Sequence, residues 1–314
     1  MQKLKPSADS PPVLLTGATG FIGQHLQRQL IADGYSLRAL VRPGSTSRDA
    51  LNPACELVTA DLSDKPALSR AVEGASAVVY GAGTVRGRRY EDFLAANVVG
   101  VQSMLEALVN TGSSAPFLLL SSLAAGRPEL SHYARSKFAA EQELLKHPDL
   151  CWSILRPPAV YGPGVVEKQP QLNLVRRGVA LRPGPPAQRL SLIHATDLAC
   201  AVSAWLSAPE ACRHLTCAID DGHPSGYSWG EIGEAVGQRR VRQLPVPMAL
   251  LRAAGAANAC MAGLFGYSPM LTPGKARELQ QEHWLCDNSA FSSRTGWHPE
   301  IDLRSGALEL FARS

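Results

Sequence analysis

The sequence predicts an α/β protein: a doubly wound parallel sheet with a smaller C-terminal capping region. Two patterns carry this. Through the first half, short apolar runs alternate with segments of helical spacing, the rhythm of a parallel sheet covered by helices on both faces. Between the first run and the first helix stand three glycines, in Val13-Leu-Leu-Thr-Gly-Ala-Thr-Gly-Phe-Ile-Gly23.

Val13, Leu14 and Leu15 form the first strand, and Phe21, Ile22, Leu26 and Leu30 space one apolar face of the helix that follows. Residues 36–41 and 56–60 read as the second and third strands. A helix over 67–72 leads to a strand over 77–80. Phe93, Leu94, Val98, Val101, Leu105 and Leu108 give residues 90–108 helical spacing, and 117–120 is the apolar run of a strand buried on both faces. A helix over 133–145 and a strand over 151–155 complete the series. After Arg156, seven prolines up to Pro186 punctuate a loop-rich stretch with one short helix over 171–179. Residues 190–206 return to strand and helix, and from Asp220 glycine, proline and short helices dominate. The expected division is a core of 11–165 with 188–219 returning to it, and a substrate-binding cap of 166–187 and 220–314.

Composition narrows the function. With 45% hydrophobic residues the chain can bury a large core, and a net charge of +4 spread along it gives no nucleic-acid footprint. Arg239, Arg240 and Arg242 form one basic cluster, read as a solvated turn between helix and strand. The seven scattered cysteines contain no C-x-x-C, which fits buried thiols in a reducing compartment better than a disulfide frame or a metal site. Met1 to Pro6 shows no signal peptide. The longest uncharged stretch, 253–274, is interrupted by Asn258, Pro269, Pro273 and glycines and makes a poor membrane span.

The glycine triplet has a physical reading. Gly17 permits the tight turn, Gly20 lets backbone approach a pyrophosphate, and Gly23 lets helix and strand pack closely. The helix N-terminus then offers free N–H groups and partial positive charge to phosphate. A second constellation is Tyr133-Ala-Arg-Ser-Lys137, which places a phenol and an ammonium on one helix face. Ser121 and Ser122 end the strand before it. A phenol of ordinary pKa near 10 is a poor acid or base at neutral pH, so a neighbouring cation is needed to favour the phenolate. Tyr133 then moves a proton to or from a hydroxyl oxygen, Lys137 holds the nicotinamide ribose, and Ser122, or alternatively Ser121, orients a carbonyl.

In order along the chain stand Thr16-Gly-x-x-Gly-x-x-Gly23, Asp61-Leu62, Gly81-Ala82-Gly83, Asn97, Ser121-Ser122, Tyr133-x-x-x-Lys137 and Arg156-Pro-Pro-Ala-Val-Tyr-Gly-Pro163. This set resembles the extended short-chain dehydrogenase/reductases of the NAD-dependent epimerase/dehydratase family, with a Rossmann-type core. Leu192-Ile-His194-x-x-Asp197 and Gly296-Trp-x-Pro299 are similar to later stretches of it. The resemblance implies a catalytic set of Ser122, Tyr133 and Lys137. It also implies a cofactor-binding set of Gly17, Thr19, Gly20, Phe21, Ile22, Gly23, Arg42, Asp61, Leu62, Gly81, Ala82, Gly83, Tyr133, Lys137, Pro157 and Val160, and no metal.

Cofactor choice rests on the second strand, Ala39-Leu40-Val41-Arg42, which ends in a base and no acid. An arginine there suits the 2′-phosphate of NADP, with NAD as the alternative. Leu123, Ala124 and Ala125 stand where dehydratases of the family carry an acid pair, so dehydration is not expected. The cap stripe Leu250, Ala254, Ala257, Met261 and Phe265 is similar to 3β-hydroxysteroid dehydrogenase-like and dihydroflavonol reductase-like members, and reads either as the wall of an apolar substrate pocket or as core. The expected activity interconverts a ketone and a secondary alcohol on an apolar or lipid-like substrate. A sugar-nucleotide epimerase or reductase is the alternative enzyme, and a non-catalytic dinucleotide-binding protein the alternative of another class. The expected location is the cytoplasm, with peripheral contact at the inner face of a membrane and a homodimer both left open.

Overall fold

The computed structural model describes residues 10–164, 174–175 and 177–310. The stretch before Ser10, and Gln171, Leu172, Asn173 and Arg176 of the helix expected over 171–179, lie outside the described residues; Val179 of that span is not helical but begins a strand. Strands β1 (Val13–Thr16), β2 (Leu37–Val41), β3 (Glu56–Thr59), β4 (Ala77–Tyr80), β5 (Phe117–Leu120) and β6 (Trp152–Arg156) pair in parallel. The short strands β7 (Ala159–Tyr161), β8 (Val179–Arg182), β9 (Arg189–Leu190) and β10 (Leu192–His194) follow, and β11 (Thr216–Ala218) pairs with β6. The resulting order is β11-β6-β5-β4-β1-β2-β3. It reverses direction between β1 and β4, the point at which doubly wound sheets open a ligand crevice at their carboxyl edge. Strand β12 (Arg242–Pro245) pairs with β8, β13 (His283–Trp284) with β9, and β7 with β10.

Ten helices are used below: α1 (Phe21–Ala32), α2 (Lys65–Val72), α3 (Glu91–Thr111), α4 (His132–Leu145), α5 (Ala195–Leu206), α6 (Trp229–Gly237), α7 (Met248–Phe265), α8 (Pro273–Leu279), α9 (Ser289–Thr295) and α10 (Leu303–Glu309). The pleat sends successive residues of one strand to opposite faces. Val13 and Leu15 therefore join Leu26 and Leu30 of α1 and Val202 and Trp205 of α5 in one core. Leu14 joins Leu68 of α2 and Met104, Leu105 and Leu108 of α3 in the other. Both faces are dry, which is why these strands read as unbroken apolar runs.

Three sequence expectations need correction. The C-terminal region is not limited to short helices: α7 runs unbroken for 18 residues through Gly255 and Gly263. Each glycine is a point of close approach. A Cβ at Gly255 would stand 2.8 Å from the Thr272 carbonyl carbon, and one at Gly263 would strike the Arg88 guanidinium. Nor is the apolar stripe of α7 core, since Leu250, Met261 and Phe265 are all exposed. No disulfide joins any of the seven cysteines, and Cys260 is exposed where buried thiols were expected.

Candidate active site

The glycine loop is as tight as its sequence implies. Gly17 adopts φ +71°, and a Cβ there would stand 2.6 Å from the Gly81 carbonyl oxygen. A Cβ at Gly23 would come within 2.2 Å of the Gly17 oxygen, so α1 packs on the loop's own backbone. Gly20 caps α1 with no side-chain hydrogen bond, and the first intrahelical bond runs from Gln24 N to the Gly20 oxygen. The amides of Phe21, Ile22 and Gly23 are thus the orphan donors of an uncapped helix start, suited to an anion. Thr16 ties this loop to the next strand end: its Oγ1 accepts from Ala82 N at 3.0 Å.

Past β4, the chain runs over Gly83, where a Cβ would stand 2.9 Å from Asn97 Oδ1 and 3.7 Å from Lys137 Nζ. Asn97 lies in a π-helical turn of α3, Ala95–Val99, and is buried. Its Oδ1 accepts from Thr84 N at 2.8 Å, and its Nδ2 donates to the Thr84 oxygen at 3.1 Å and to Ser136 Oγ at 2.9 Å. Widened turns of this kind recur where a helix must aim one side chain at a site.

Strand β5 and helix α4 bring Ser122, Tyr133 and Lys137 together. Ser131 caps α4, with its Oγ accepting from Ala134 N at 3.0 Å. Lys137, one turn beyond Tyr133, is buried and donates to the Leu120 carbonyl at 2.8 Å. Burial brings its ammonium down to about 8, against the pull of the Glu141 carboxylate. Desolvation pushes the Tyr133 phenol up to about 12; the nearby Ser122 hydroxyl opposes this and the buried Glu278 carboxylate adds to it. Burial is thus the largest influence on the phenol, while Lys137 Nζ is turned to the Leu120 carbonyl.

Ser121, the alternative hydroxyl, points elsewhere. It donates to Glu141 Oε1 at 2.5 Å, and Arg156 grips the same carboxylate with Nε at 2.9 Å and Nη2 at 2.5 Å. Glu141 lies a helical turn after Lys137, and that spacing is the only sequence signal it gave. Glu278 gave none. It belongs to α8 and accepts from Ser131 Oγ and from Lys275 Nζ, the latter at 2.8 Å.

The remaining candidate residues surround this centre at the carboxyl edge. The Pro157 carbonyl accepts from Leu123 N at 2.9 Å and holds the turn after Ser122, while Val160 pairs in β7 with Ile193. The Thr19 carbonyl accepts from Gln24 Nε2 at 3.3 Å. Leu62 is buried. Asp61 is exposed; hydrogen bonds from Ser63 and the charge of Arg42 hold its carboxyl below the usual range. Arg42 is itself exposed at the end of β2. The loop that only glycine permits and the open amides of α1 fit a dinucleotide. A shallow depression at the opposite edge of the sheet, between Gly74 and Ser113, touches none of these residues.

The model of the NAD dependent epimerase/dehydratase family matches residues 13–216. The chain belongs to this family, and it is an NAD(P)-dependent oxidoreductase of the extended short-chain dehydrogenase/reductase type. It is 36% identical over 282 residues to a ceramide reductase from Caulobacter vibrioides (strain NA1000 / CB15N), covering 87% of this chain and 85% of that protein. It is 26% identical to a 2-alkyl-3-oxoalkanoate reductase from Stenotrophomonas maltophilia (strain K279a), over 96% of this chain and 99% of that one. A Thermus thermophilus UDP-glucose 4-epimerase structure, a complex with NAD, superposes with a TM-score of 0.70 over 96% of this chain and 100% of that one. At 19% identity, that is a likeness of fold.

Proposed function

We propose that the protein reduces a ketone to a secondary alcohol, or runs the reverse, on an apolar, lipid-like substrate with NADP as the preferred cofactor. The observation that carries the chemistry is the Ser122 hydroxyl beside the Tyr133 phenol, with the buried ammonium of Lys137 one helical turn on. When bound, the nicotinamide supplies or accepts the hydride. Ser122 donates a hydrogen bond to the carbonyl oxygen. Tyr133 gives that oxygen its proton in the reducing direction and takes it back in the other. Lys137 holds positive charge beside the phenol and donates to the ribose, and Asn97 keeps α3 and α4 in register through Ser136. The amides of Phe21, Ile22 and Gly23 receive the pyrophosphate, and Arg42 the 2′-phosphate.

One observation argues against a dehydratase and another supports an apolar substrate. The turn after Ser122 is Leu123-Ala124-Ala125, with Ala124 and Ala125 buried and no acid to assist elimination of water. Two relatives, matched over 85% and 99% of their lengths, carry the names of a ceramide reductase and a 2-alkyl-3-oxoalkanoate reductase. The test is purified protein with NADPH or NADH against long-chain ketones, among them an oxidised ceramide and a ketosphingoid base, and against UDP-glucose. Net NADPH oxidation with a lipid ketone is expected. Epimerisation of UDP-glucose without net cofactor turnover, and no reaction with the ketones, would overturn the reading.

A further inference from the structure

Helix α7 carries its apolar residues on the wrong side for a soluble protein. The face packed on the molecule is made of small residues, Gly255 and Ala262, the first seated on the Thr272–Pro273 backbone of the loop entering α8. On the exposed side of the helix, at intervals of four and three residues, stand Leu250, Ala254, Ala257, Met261 and Leu264. Of these Leu250 is 60%, Met261 48% and Leu264 77% exposed, and neighbouring Phe265 is 77% exposed. Helix α3 is three residues longer and comparably apolar, but 56% of its apolar window is buried against 17% for α7. Met270 and Val85 continue the exposed patch past the helix end, where Gly87 N donates to the Pro269 carbonyl at 3.2 Å. Monomeric proteins seldom leave such a contiguous apolar surface without a partner.

The charge around it selects the partner. Between Glu234 and Glu278 the chain has no carboxylate but six basic residues, of which Arg239, Arg240, Arg242 and Arg252 are exposed, Lys275 pairs with Glu278 and Arg277 bonds the Leu130 carbonyl. The adjoining loop adds Arg86, Arg88 and Arg89 against Glu91 and Asp92. A second copy docked through this face about a twofold axis would set that positive surface against itself. An anionic bilayer meets both features at once, with acyl chains for the stripe and headgroup phosphates for the bases.

We propose that α7 is an interfacial helix that seats the protein on an anionic phospholipid surface, lying in the headgroup region with Leu250, Met261, Leu264 and Phe265 inserted. It lies on the surface and does not cross, because Gly255 and Ala262 hold it along its length to the protein. The seat is next to the site. From the end of α7 the chain passes through Thr272, the cap of α8, to Glu278, which bonds Ser131 at the start of α4. A lipid ketone leaving the bilayer thus enters close to Tyr133. That consequence rests on the function proposed above; the docking itself does not.

The experiment is flotation of the full-length protein with vesicles of phosphatidylcholine alone and of phosphatidylcholine with about one third phosphatidylglycerol, at low and high salt. The wild type is expected to float with the anionic vesicles, much less with the neutral ones, and to be partly released by salt. Replacing two inserted side chains, as in Leu264→Glu with Phe265→Glu, should weaken binding by at least about ten-fold. The melting temperature should hold, because both sites are exposed. Leu264→Trp provides a second reading, a blue shift of its emission on adding anionic vesicles. Failure of the wild type to float on either vesicle, or a concentration-dependent dimer abolished by the double substitution with no flotation, overturns the proposal. Flotation without turnover of any lipid ketone would overturn the function and leave the docking standing, whereas turnover of dispersed ketone without flotation would do the opposite.

Discussion

Glu278 of α8 and Ser131 at the head of α4 share a hydrogen bond, and the same Ser131 oxygen accepts from Ala134 N to cap the helix that carries Tyr133. Helix α8 thus sets a buried negative charge against the residue two before the phenol. Because that charge pushes Tyr133 upward, Glu278→Gln should let the phenol titrate at lower pH. The base limb of the pH–rate profile for alcohol oxidation should then move to lower pH, and the alkaline fall in ketone reduction with it. Pre-steady-state rates across pH check this. An unmoved or raised limb would remove Glu278 from the site's electrostatics.

Tyr133→Phe keeps the ring, which faces Phe93 at a centroid distance of 6.2 Å, and removes only the hydroxyl. Turnover is expected to fall by about 10²–10⁴ while NADPH affinity changes little. Ser122→Ala removes one neutral hydrogen bond and should cost up to about ten-fold in rate. Fluorescence titration of NADPH beside the steady-state constants separates the two effects. A Phe variant that keeps its rate and loses affinity would make Tyr133 a cofactor ligand and not a proton carrier.

Much of this was legible in the chain because the signals are local. Strands β4 and β5 match the expected 77–80 and 117–120, since a strand dry on both faces is one apolar run with polar ends. The Tyr133–Lys137 spacing is a helical turn wherever α4 sits. The π-helical turn around Asn97 was hidden within the helical spacing of 90–108: one extra residue per turn leaves no compositional mark and is fixed by the bonds to Thr84. Glu278 stayed invisible because its partner lies 147 residues away. The stripe on α7 was visible, but its direction was not. Apolar residues are expected to face inward, and here the small residues do so because backbone of the loop entering α8 approaches them.

Lys137 couples function to stability. Its folded pKa of about 8 lies below the ordinary 10.5, so burial of the charged form is unfavourable wherever both folded and unfolded chains are protonated. The cost is roughly 3 kcal/mol below pH 8. As pH rises from about 8 toward 10.5 the unfolded chain holds more protons and stability should climb. Lys137→Met removes this dependence. At pH 7 the variant should be more stable by about 1–2 kcal/mol, after allowing for the lost bond to the Leu120 carbonyl, and the difference should close by pH 10. Urea unfolding at both pH values tests the sign. A variant less stable at pH 7 would show that the bond to Leu120 outweighs the buried charge.

The glycine loop separates packing from approach. At Gly23 a Cβ meets two backbone carbonyls, 2.2 Å from the Gly17 oxygen and 2.4 Å from the Ala18 oxygen, so Gly23→Ala must displace α1 and should lower the melting temperature together with cofactor affinity. At Gly20 the contact is 3.2 Å, and the residue is exposed at the helix cap. Gly20→Ala should leave the melting temperature nearly unchanged and still weaken cofactor binding, because its methyl faces the pyrophosphate. Calorimetry of both variants decides it. Equal loss of stability would make Gly20 a packing residue as well.

Cofactor choice should turn on Arg42. It directly follows β2, which offers no acid to a ribose 2′-hydroxyl, and its guanidinium lies close enough to Asp61 to help hold that carboxylate ionised. A phosphate on the guanidinium gains a charge-assisted contact of about 1.5–3 kcal/mol, so Arg42→Ala should raise the Kd of NADPH by about ten-fold or more and leave that of NADH almost unchanged. Arg48 is the other base at this edge, with Nη2 3.4 Å from Thr59 Oγ1. Equal weakening of both cofactors would place Arg42 on the phosphates they share. An unchanged NADPH affinity would shift the 2′-phosphate to Arg48, and Arg48→Ala should then reproduce the selective loss.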